Sequence, residues 1–558
     1  MTHHRETTEA HGCGPCGHGK FEIGSRNQYI EILAHLLPVM EANVGNIAEL
    51  RHLVFSFAGR RDLVACAQVC STWSEDALDI IWRDLPSPTP LLGLVNESHL
   101  CPTMTWRQGV GHATISNPLP WERFRTFMVR VRTMCFPLTP SKNLLQRLAM
   151  IVGLCPDLPF LPNLSKVTVY PSSNIIWVPI VAMFLHCGVR HLIIVPPEGD
   201  GPSFFTYPDF FRELLRRAPL LESLQIQSCS LLTFHRMWRP EDAGILADYA
   251  AQFSRLIRLV APAVVVANLK HIHTALPRLR VIKEINASYP KLHINVARDD
   301  WPVQVANLEC LAVTVTFACA RTLLTENSML RLQVLYLEAH IRAHEESPTQ
   351  FFQVLANRCP ALAELTVRWV QSTMIFNPQS MENVEIHVSV FEPLQACTSL
   401  AILDLSAPFA LAFGEPEAER LATLLSHLRI CRLAFIPLYG PIAKRHTLPG
   451  LAGLVPFATH CHRLEELSIN LDPKVPSLGV VPAVRFGPAL RKLSIGHFIE
   501  PQGWNAAAVA RYFAALVPRY CSVTIPPPPH WSRLWKRSVE IEEGEGRLKE
   551  AFQLISGV

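Results

Sequence analysis

A short hydrophobic pattern recurs along most of the chain. Each copy has an apolar residue, two variable residues, an apolar residue, one variable residue and another apolar residue, as in LESLQI and LEELSI. Clear copies begin at Leu164, Leu221, Leu308, Leu332, Leu362, Leu400, Leu464 and Leu490, and weaker copies begin at Val189, Leu256, Leu279 and Ile430. Because alternate side chains of a strand point to opposite faces, each copy predicts a strand with one buried face.

Helix-like stretches such as FFRELLRR, FFQVLANR and ARYFAALV separate the predicted strands. One strand with its helix cannot bury its own apolar side, whereas a stack of about a dozen such units forms a continuous core. The pattern therefore predicts an α/β repeat, a curved solenoid with a parallel sheet over residues 141–525. The alternative is a non-repetitive α/β fold, because its βα units also contain short apolar strands.

The recurring pattern resembles that of leucine-rich repeats, although its period is irregular and the asparagine that usually follows the strand is mostly missing. The rest of the chain is divided by composition, with a Gly- and His-rich start, a proline-broken middle and four prolines in a row near the end. The predicted segments outside the solenoid are a disordered tail at 1–26, a helix at 27–45, a helical segment at 46–85, a Pro-rich connection at 86–140, and a polyproline spacer with a charged C-terminal tail at 526–558.

The segment at 46–85 has the pattern of three short helices. Spacings of three and four predict an apolar stripe on the first helix, formed by Ile47, Leu50, Val54 and Phe57. We expect Gly59 to end this helix and Asp62 to cap the second one by accepting backbone N–H bonds. The second helix is expected to carry, on one side, Leu63, Cys66 and Cys70.

The third helix of this segment is predicted to open with a capping box formed by Thr72 and Glu75. Its expected inward positions are Trp73, Ala77 and Ile80 or Ile81. Three helices in about forty residues bury only a small core of their own. The segment has more apolar surface than such a core hides, which indicates a partner that covers the excess.

At these residues the sequence resembles an F-box. The resemblance is carried by Glu49-Leu50, Phe55, Asp62-Leu63, Val69-Cys70, Trp73 and Trp82-Arg83. The family usually has Leu-Pro before the Glu, whereas Ile47-Ala48 stands there in this chain, which leaves the start of the first helix less fixed. The alternative interpretation of the segment is a helical cap over the end of the repeat sheet.

An F-box followed by leucine-rich repeats resembles the substrate receptors of Skp–cullin–F-box ubiquitin ligases. The resemblance implies that the helices dock on a Skp-type adaptor of the cullin complex, that the solenoid holds an unknown target protein, and that other subunits perform the catalysis. The expected adaptor-binding residues are Leu50, Val54, Phe57, Leu63, Val69, Cys70, Trp73 and Trp82. The expected target-binding residues lie on the concave row of outward positions and beside it: Gln225, Tyr336, Glu364, Thr366, Asp404, Glu466, Ser468, Lys492 and Ser494.

Composition narrows the class of partner. Hydrophobic residues make up 49% of the 558 residues and charged residues 18%, so most of the chain is expected to fold. The formal net charge is only +4, which gives no electrostatic reason to expect nucleic acid or a membrane surface. No stretch approaches the ~20 apolar residues of a membrane span, and no signal peptide is visible. We therefore expect a cytoplasmic or nuclear protein with free thiols.

The N-terminal tail contains patterns that resemble known sites. Gly12-x-Gly14-x-x-Gly17 matches a dinucleotide fingerprint, but no predicted strand precedes it to aim the loop. Cys13, Cys16, His11 and His18 have spacing that suits zinc, although the tail offers no apolar residue to pack around an ion. We predict no metal, no cofactor and no catalytic residue. A repeat scaffold without a ubiquitin-ligase role, and an enzyme of unknown class, are the alternatives.

Overall fold

The structure is a computed structural model of the full chain. It describes residues 48–94, 100–101, 114–115, 118–136, 144, 147–148, 159–170, 177–195, 208–227, 240–261, 276–284, 307–327, 329–341, 348–371, 385–407, 410–435, 448–471, 482–496 and 506–524. Four predicted features lie outside these residues. They are the N-terminal tail with its possible zinc ligands, the helix at 27–45, the polyproline spacer and the charged C-terminal tail. The chain divides into two compact units, Met1–Leu85 and Pro86–Val558.

The described part of the first unit, residues 48–85, has three helices and a two-residue strand. Their bounds are α1 Ala48–Phe57, α2 Arg60–Cys66, α3 Ser71–Arg83 and β1 Asp84–Leu85. The core of the helices is formed by the buried side chains of Phe55, Leu63 and Ala77. Val54, Cys66, Trp73, Ile80 and Ile81 pack against that core, as expected of Trp73, Ala77 and the isoleucines of the third helix.

Two local predictions for this unit need correction. Cys70 is exposed and lies after the end of α2, so it does not share a helical side with Leu63. The Thr72–Glu75 capping box is also wrong, because α3 begins at Ser71 and its N-cap is Cys70, which makes no side-chain capping bond. Asp62 does accept a backbone N–H, that of Gly59 at 3.2 Å, which agrees with its predicted capping role.

The second unit contains strands β2–β19 and helices α4–α13. The strands are β2 Leu100–Cys101, β3 Thr114–Ile115, β4 Thr133–Phe136, β5 Lys166–Val169, β6 His191–Ile194, β7 Ser223–Ile226, β8 Arg258–Ala261, β9 Val281–Glu284, β10 Cys310–Thr316, β11 Val334–Ile341, β12 Glu364–Gln371, β13 Glu385–His387, β14 Ile402–Ala407, β15 Ala410–Ala412, β16 Ile430–Phe435, β17 Glu466–Asn470, β18 Lys492–Gly496 and β19 Ser522–Thr524. The helices are α4 Thr89–Leu92, α5 Pro118–Met128, α6 Trp177–Phe184, α7 Pro208–Arg217, α8 Pro240–Ala251, α9 Phe317–Glu326, α10 Pro348–Arg358, α11 Glu415–Leu424, α12 Val455–His460 and α13 Ala506–Leu516, with 3-10 helices at Val388–Ala396 and Leu451–Leu454.

Fourteen described strands of the second unit form one long sheet, in which β4 to β19 follow one another in chain order, with only β13 and β15 left out. Every strand pair described between β4 and β19 in this sheet is parallel. All clear and weak copies of the hexapeptide pattern coincide with strands of the sheet, which confirms the strand predictions. A doubly wound sheet reverses its strand order, so an order that follows the chain is consistent with a solenoid-like α/β repeat.

The sheet has its apolar face inward, as the alternation predicts. The central leucines of the hexapeptides, such as Leu224, Leu403 and Leu467, are fully buried. Aromatic contacts join consecutive repeats on this side, for example Phe352 of α10 with Phe391 of the next helix at 5.3 Å between ring centroids. The apolar positions of each repeat are therefore covered by neighbouring repeats.

The predicted start of the repeat at residue 141 is too late. β4 pairs with β5 in parallel, and it lies inside the segment predicted as a Pro-rich connection. Its residues follow the hexapeptide pattern with Val131, Met134 and Phe136 at the apolar positions, and all three side chains are fully buried. The pattern was not recognised in the sequence because none of these positions is a leucine.

Candidate functional site

The helical unit exposes a group of large apolar side chains. Leu50, Leu53 and Phe57 recur at spacings of three and four on α1, Val64 lies on α2, and Val69 lies between α2 and α3. Phe57 is 73% exposed and Val69 is 64% exposed. We call these five side chains the apolar face. Such a concentration in one small unit indicates a surface that a partner covers.

The predicted adaptor-binding residues divide into two groups. Leu50, Phe57 and Val69 belong to the apolar face, and Cys70 beside them is exposed. Leu63 is buried in the core, while Val54 and Trp73 pack against it, and Trp82 is half-buried. The Trp73 ring meets Phe55 edge-on at 5.4 Å between centroids, so this tryptophan stabilises the unit itself. The sequence analysis did not include Leu53 and Val64, although Leu53 has helical spacing from Leu50 and Phe57.

A buried ion pair fixes α1 against α3. Arg51 is only 6% exposed, and its Nε donates to Oδ2 of Asp76 at 2.6 Å. An arginine on the inner side of α1 was not expected, because the sequence pattern of that helix showed only its apolar residues. The pair holds α1 in one orientation, and this orientation presents Leu50, Leu53 and Phe57 outward.

The second predicted surface is the outward face of the long sheet. The strand register places six of the predicted residues in one lateral row across the sheet. They are Gln225, Tyr336, Thr366, Asp404, Ser468 and Ser494. A parallel row two residues earlier contains Glu364, Glu466 and Lys492. The structure therefore brings the predicted target-binding residues into two neighbouring rows, which were expected from the alternation of the hexapeptides.

Two residues of the first row are not available to a partner. Thr366 is 8% exposed and Ser494 is 4% exposed. The hydroxyl of Ser494 is hydrogen-bonded to the hydroxyl of Thr524 on the next strand at 2.9 Å. Thr366 lies between Tyr336 and Asp404, and the Arg368 guanidinium extends over the Tyr336 ring at 5.3 Å from its centroid. Longer side chains beside Thr366 therefore dominate its part of the row, whereas the Ser494 hydroxyl is already occupied by Thr524.

An ion network occupies the C-terminal part of the outward face. Arg432 donates to both carboxylate oxygens of Glu466, at 2.8 and 3.1 Å, and lies 3.3 Å from Asp404. Lys492 adds a contact to Glu466 at 2.9 Å. The hydrogen bonds from Arg432 lower the pKa of Glu466. Arg432 is not among the predicted target-binding residues, although it has the same position in its strand as Asp404 and Ser468. The network satisfies these charges within the chain.

Two carboxyl groups lie near Thr314 between β9 and β11. Glu284 accepts from the backbone N–H of Thr314, and the buried Glu338 accepts from the Thr314 hydroxyl at 3.2 Å. Burial raises the pKa of Glu284 to about 8, and it also raises the pKa of Glu338. Glu284 is therefore largely uncharged at neutral pH.

The described part of the chain shows two further features. It contains no cluster of three or more His, Cys, Asp or Glu side chains that could hold a metal ion. None of its helices combines the length and the apolar character that crossing a membrane requires. The two surfaces that carry predicted binding residues are the apolar face of the helical unit and the polar rows of the sheet.

The helical unit that carries the apolar face matches a known protein family. Residues 48–85 match the F-box-like family, which supports an F-box protein. No curated protein matches the chain. A solved protein from Bacteroides fragilis has 9% sequence identity and a TM-score of 0.26, over 75% of this chain and 86% of that one. A chain in the structure of the Toll–Spatzle complex, from Drosophila, has 12% sequence identity and a TM-score of 0.29, over 67% of this chain and 49% of that one. TM-scores this low carry no argument about the fold.

Proposed function

We propose that this chain is the substrate-recognition subunit of a Skp–cullin–F-box ubiquitin ligase. Its F-box-like domain suggests an adaptor role in such a complex, because F-box domains generally bind Skp-type adaptors. The observation that supports docking most directly is the apolar face, which the unit leaves exposed although its own core is closed around Phe55 and Leu63. An adaptor that covers Leu53, Phe57 and Val69 removes that surface from water.

The sheet has the second role in this proposal. We infer that it is a leucine-rich-repeat solenoid whose outward rows hold the protein to be ubiquitylated. The in-order parallel strands and the polar outward positions support this inference, because a partner can lie across several repeats at once. Catalysis belongs to other subunits, and the chain acts as a bridge between adaptor and target.

Reconstitution from purified components tests the docking role. The full chain, a Skp-type adaptor and a cullin are mixed and separated by size-exclusion chromatography. We expect the wild type to elute with both partners, and a Phe57→Ala/Val69→Ala variant to elute alone. A matched control is Leu330→Ala/Tyr520→Ala, since these exposed apolar residues lie on the second unit. Equal recovery of the adaptor by both variants rejects docking through the apolar face.

A further inference from the structure

Four basic side chains lie together on the outward face of the N-terminal half of the sheet. Lys166, His191 and Arg258 share one lateral row with Ser223, and the same row continues to Val281. Lys283 lies opposite Val260, two residues further along than Arg258. We call Lys166, His191, Arg258 and Lys283 the basic strip. Since neighbouring strands lie ~4.8 Å apart, the strip spans about 19 Å from β5 to β9.

Within the described residues, no carboxylate forms an ion pair with Lys166, Arg258 or Lys283. Lys283 is hydrogen-bonded to the Cys310 thiol, which does not neutralise its charge. The Nε–H of Arg258 is buried and has no acceptor in that part of the chain. Because this nitrogen is closed to solvent, an external ligand meets the strip through its other cationic groups, which have no carboxylate partner among the described residues.

The other charged groups around the strip do not neutralise it. Glu222 lies beside His191, but it faces Arg190 at 3.7 Å. Glu284, at the end of β9, is largely protonated at neutral pH because burial raises its pKa to about 8. Burial lowers the pKa of His191, and the charges of Lys166 and Arg258 lower it further against the opposite effect of Glu222. At pH 7 the strip therefore carries the charge of its two lysines and its arginine.

The C-terminal half of the same face is different. Its outward acids Asp404 and Glu466 are neutralised by Arg432 and Lys492. Among the described residues, Asp404 and Glu466 of the C-terminal half are paired within the chain, whereas Lys166, Arg258 and Lys283 of the N-terminal half have no carboxylate partner. Electrostatic complementarity thus selects the N-terminal half as the place where a charged partner binds.

We propose that the basic strip captures the target protein, and that the captured segment is a short stretch of polypeptide rich in Asp and Glu. This inference rests on the proposed receptor function and names the chemistry of its target. An extended chain rises about 3.3 Å per residue, so about six residues cross the strip.

A polypeptide fits this surface better than a nucleic acid. Two half-buried outward apolar side chains, those of Ile193 and Val281, lie between the cations on the same strands. They offer contacts to apolar side chains of a peptide, whereas a phosphate backbone has none to contribute. Gln225, one of the predicted target-binding residues, adds an amide next to Ser223, with its Nε2 3.4 Å from the hydroxyl oxygen.

Fluorescence anisotropy on the full chain tests the proposal. The probe is a fluorescein-labelled peptide with six Asp and Glu residues between Leu and Val, and its reference peptide has Asn and Gln instead. We expect the acidic peptide to bind at least tenfold more tightly than the reference, with affinity that falls as salt rises. Arg258→Met/Lys283→Met should weaken acidic-peptide binding at least tenfold. The matched control, Arg463→Met/Arg491→Met, removes two exposed positive charges from the C-terminal half and should bind as wild type.

A second variant and two further ligands complete the test. Because Arg258 is half-buried, its substitution can also disturb the fold. Lys166→Gln/Lys283→Gln leaves Arg258 in place and should also weaken acidic-peptide binding. Equal binding of the two peptides, or equal binding by strip and control variants, overturns the proposal. Tighter binding of a phosphoserine peptide or of a 12-nucleotide single-stranded DNA overturns it as well, since the ligand is then a phosphate. Adaptor binding is measured in parallel for the wild type and the strip variants. A wild type that does not bind the adaptor counts against the receptor function, whereas the peptide measurements test the basic strip.

Discussion

The ion pair between Arg51 and Asp76 gives the sharpest prediction about the helical unit. The Arg51 side chain is 6% exposed and that of Asp76 23%, with 2.6 Å between the charged atoms. Removing one partner of a buried pair costs ~3–5 kcal/mol, because the other charge stays buried. Since Asp76 retains some contact with water, we expect Arg51→Met to cost about 2–3 kcal/mol. The free energy of unfolding of a native protein is roughly 0.1 kcal/mol per residue, which gives only about 4 kcal/mol for residues 48–85.

Hydrogen exchange of peptides from α1 and α3 measures this loss. We expect Arg51→Met to accelerate exchange in both helices by at least tenfold, while the sheet keeps its protection. The matched control is Arg83→Met, since Arg83 pairs with Asp84 at 3.0 Å in an exposed position worth ~0–1 kcal/mol. Adding Asp76→Leu to Arg51→Met should restore part of the protection. If Arg51→Met exchanges no faster than Arg83→Met, the pair does not hold the helices together.

Three further predictions concern stability. Phe55→Ala should destabilise the helical unit by ~3–5 kcal/mol, seen as lost exchange protection, because this ring is buried against Trp73. Arg432→Met should lower the melting temperature by the equivalent of about 1 kcal/mol, since its pair is partly exposed; an unchanged temperature contradicts a stabilising network. Glu284 has a pKa raised from 4.5 to about 8, so the folded state binds the extra proton between these values. Stability should therefore fall from pH 5 to pH 8, by at most ~1.4 kcal/mol per pH unit, and denaturant titrations of Glu284→Gln should show a smaller fall.

Periodic features of the sheet were predictable from the sequence. A strand with one buried face needs only alternating apolar residues, and the leucines at the central hexapeptide position meet that need without any tertiary information. The lateral rows followed from the same argument, because equivalent positions of stacked repeats lie side by side. β4 escaped detection since Val131, Met134 and Phe136 replace the leucines.

Features that depend on neighbouring elements were not predictable. The first helix has apolar residues on more than one side, so its own sequence does not say that Phe55 faces inward and Phe57 outward. That choice depends on α2 and α3, against which Phe55 packs. Thr366 has an outward position, yet its burial depends on the sizes of side chains on adjacent strands. The charges left unpaired at Arg258 and Lys283 likewise emerge only when neighbouring rows are compared.

Adaptor affinity is the most direct test of the central claim that the apolar face is a docking surface. Isothermal titration calorimetry compares the full wild-type chain with Phe57→Ala against a purified Skp-type adaptor. Because the ring is 73% exposed, the substitution should leave the melting temperature unchanged while weakening adaptor binding by ~2 kcal/mol, about thirtyfold. No measurable adaptor binding by the wild type, or equal affinity of the two proteins, contradicts the claim.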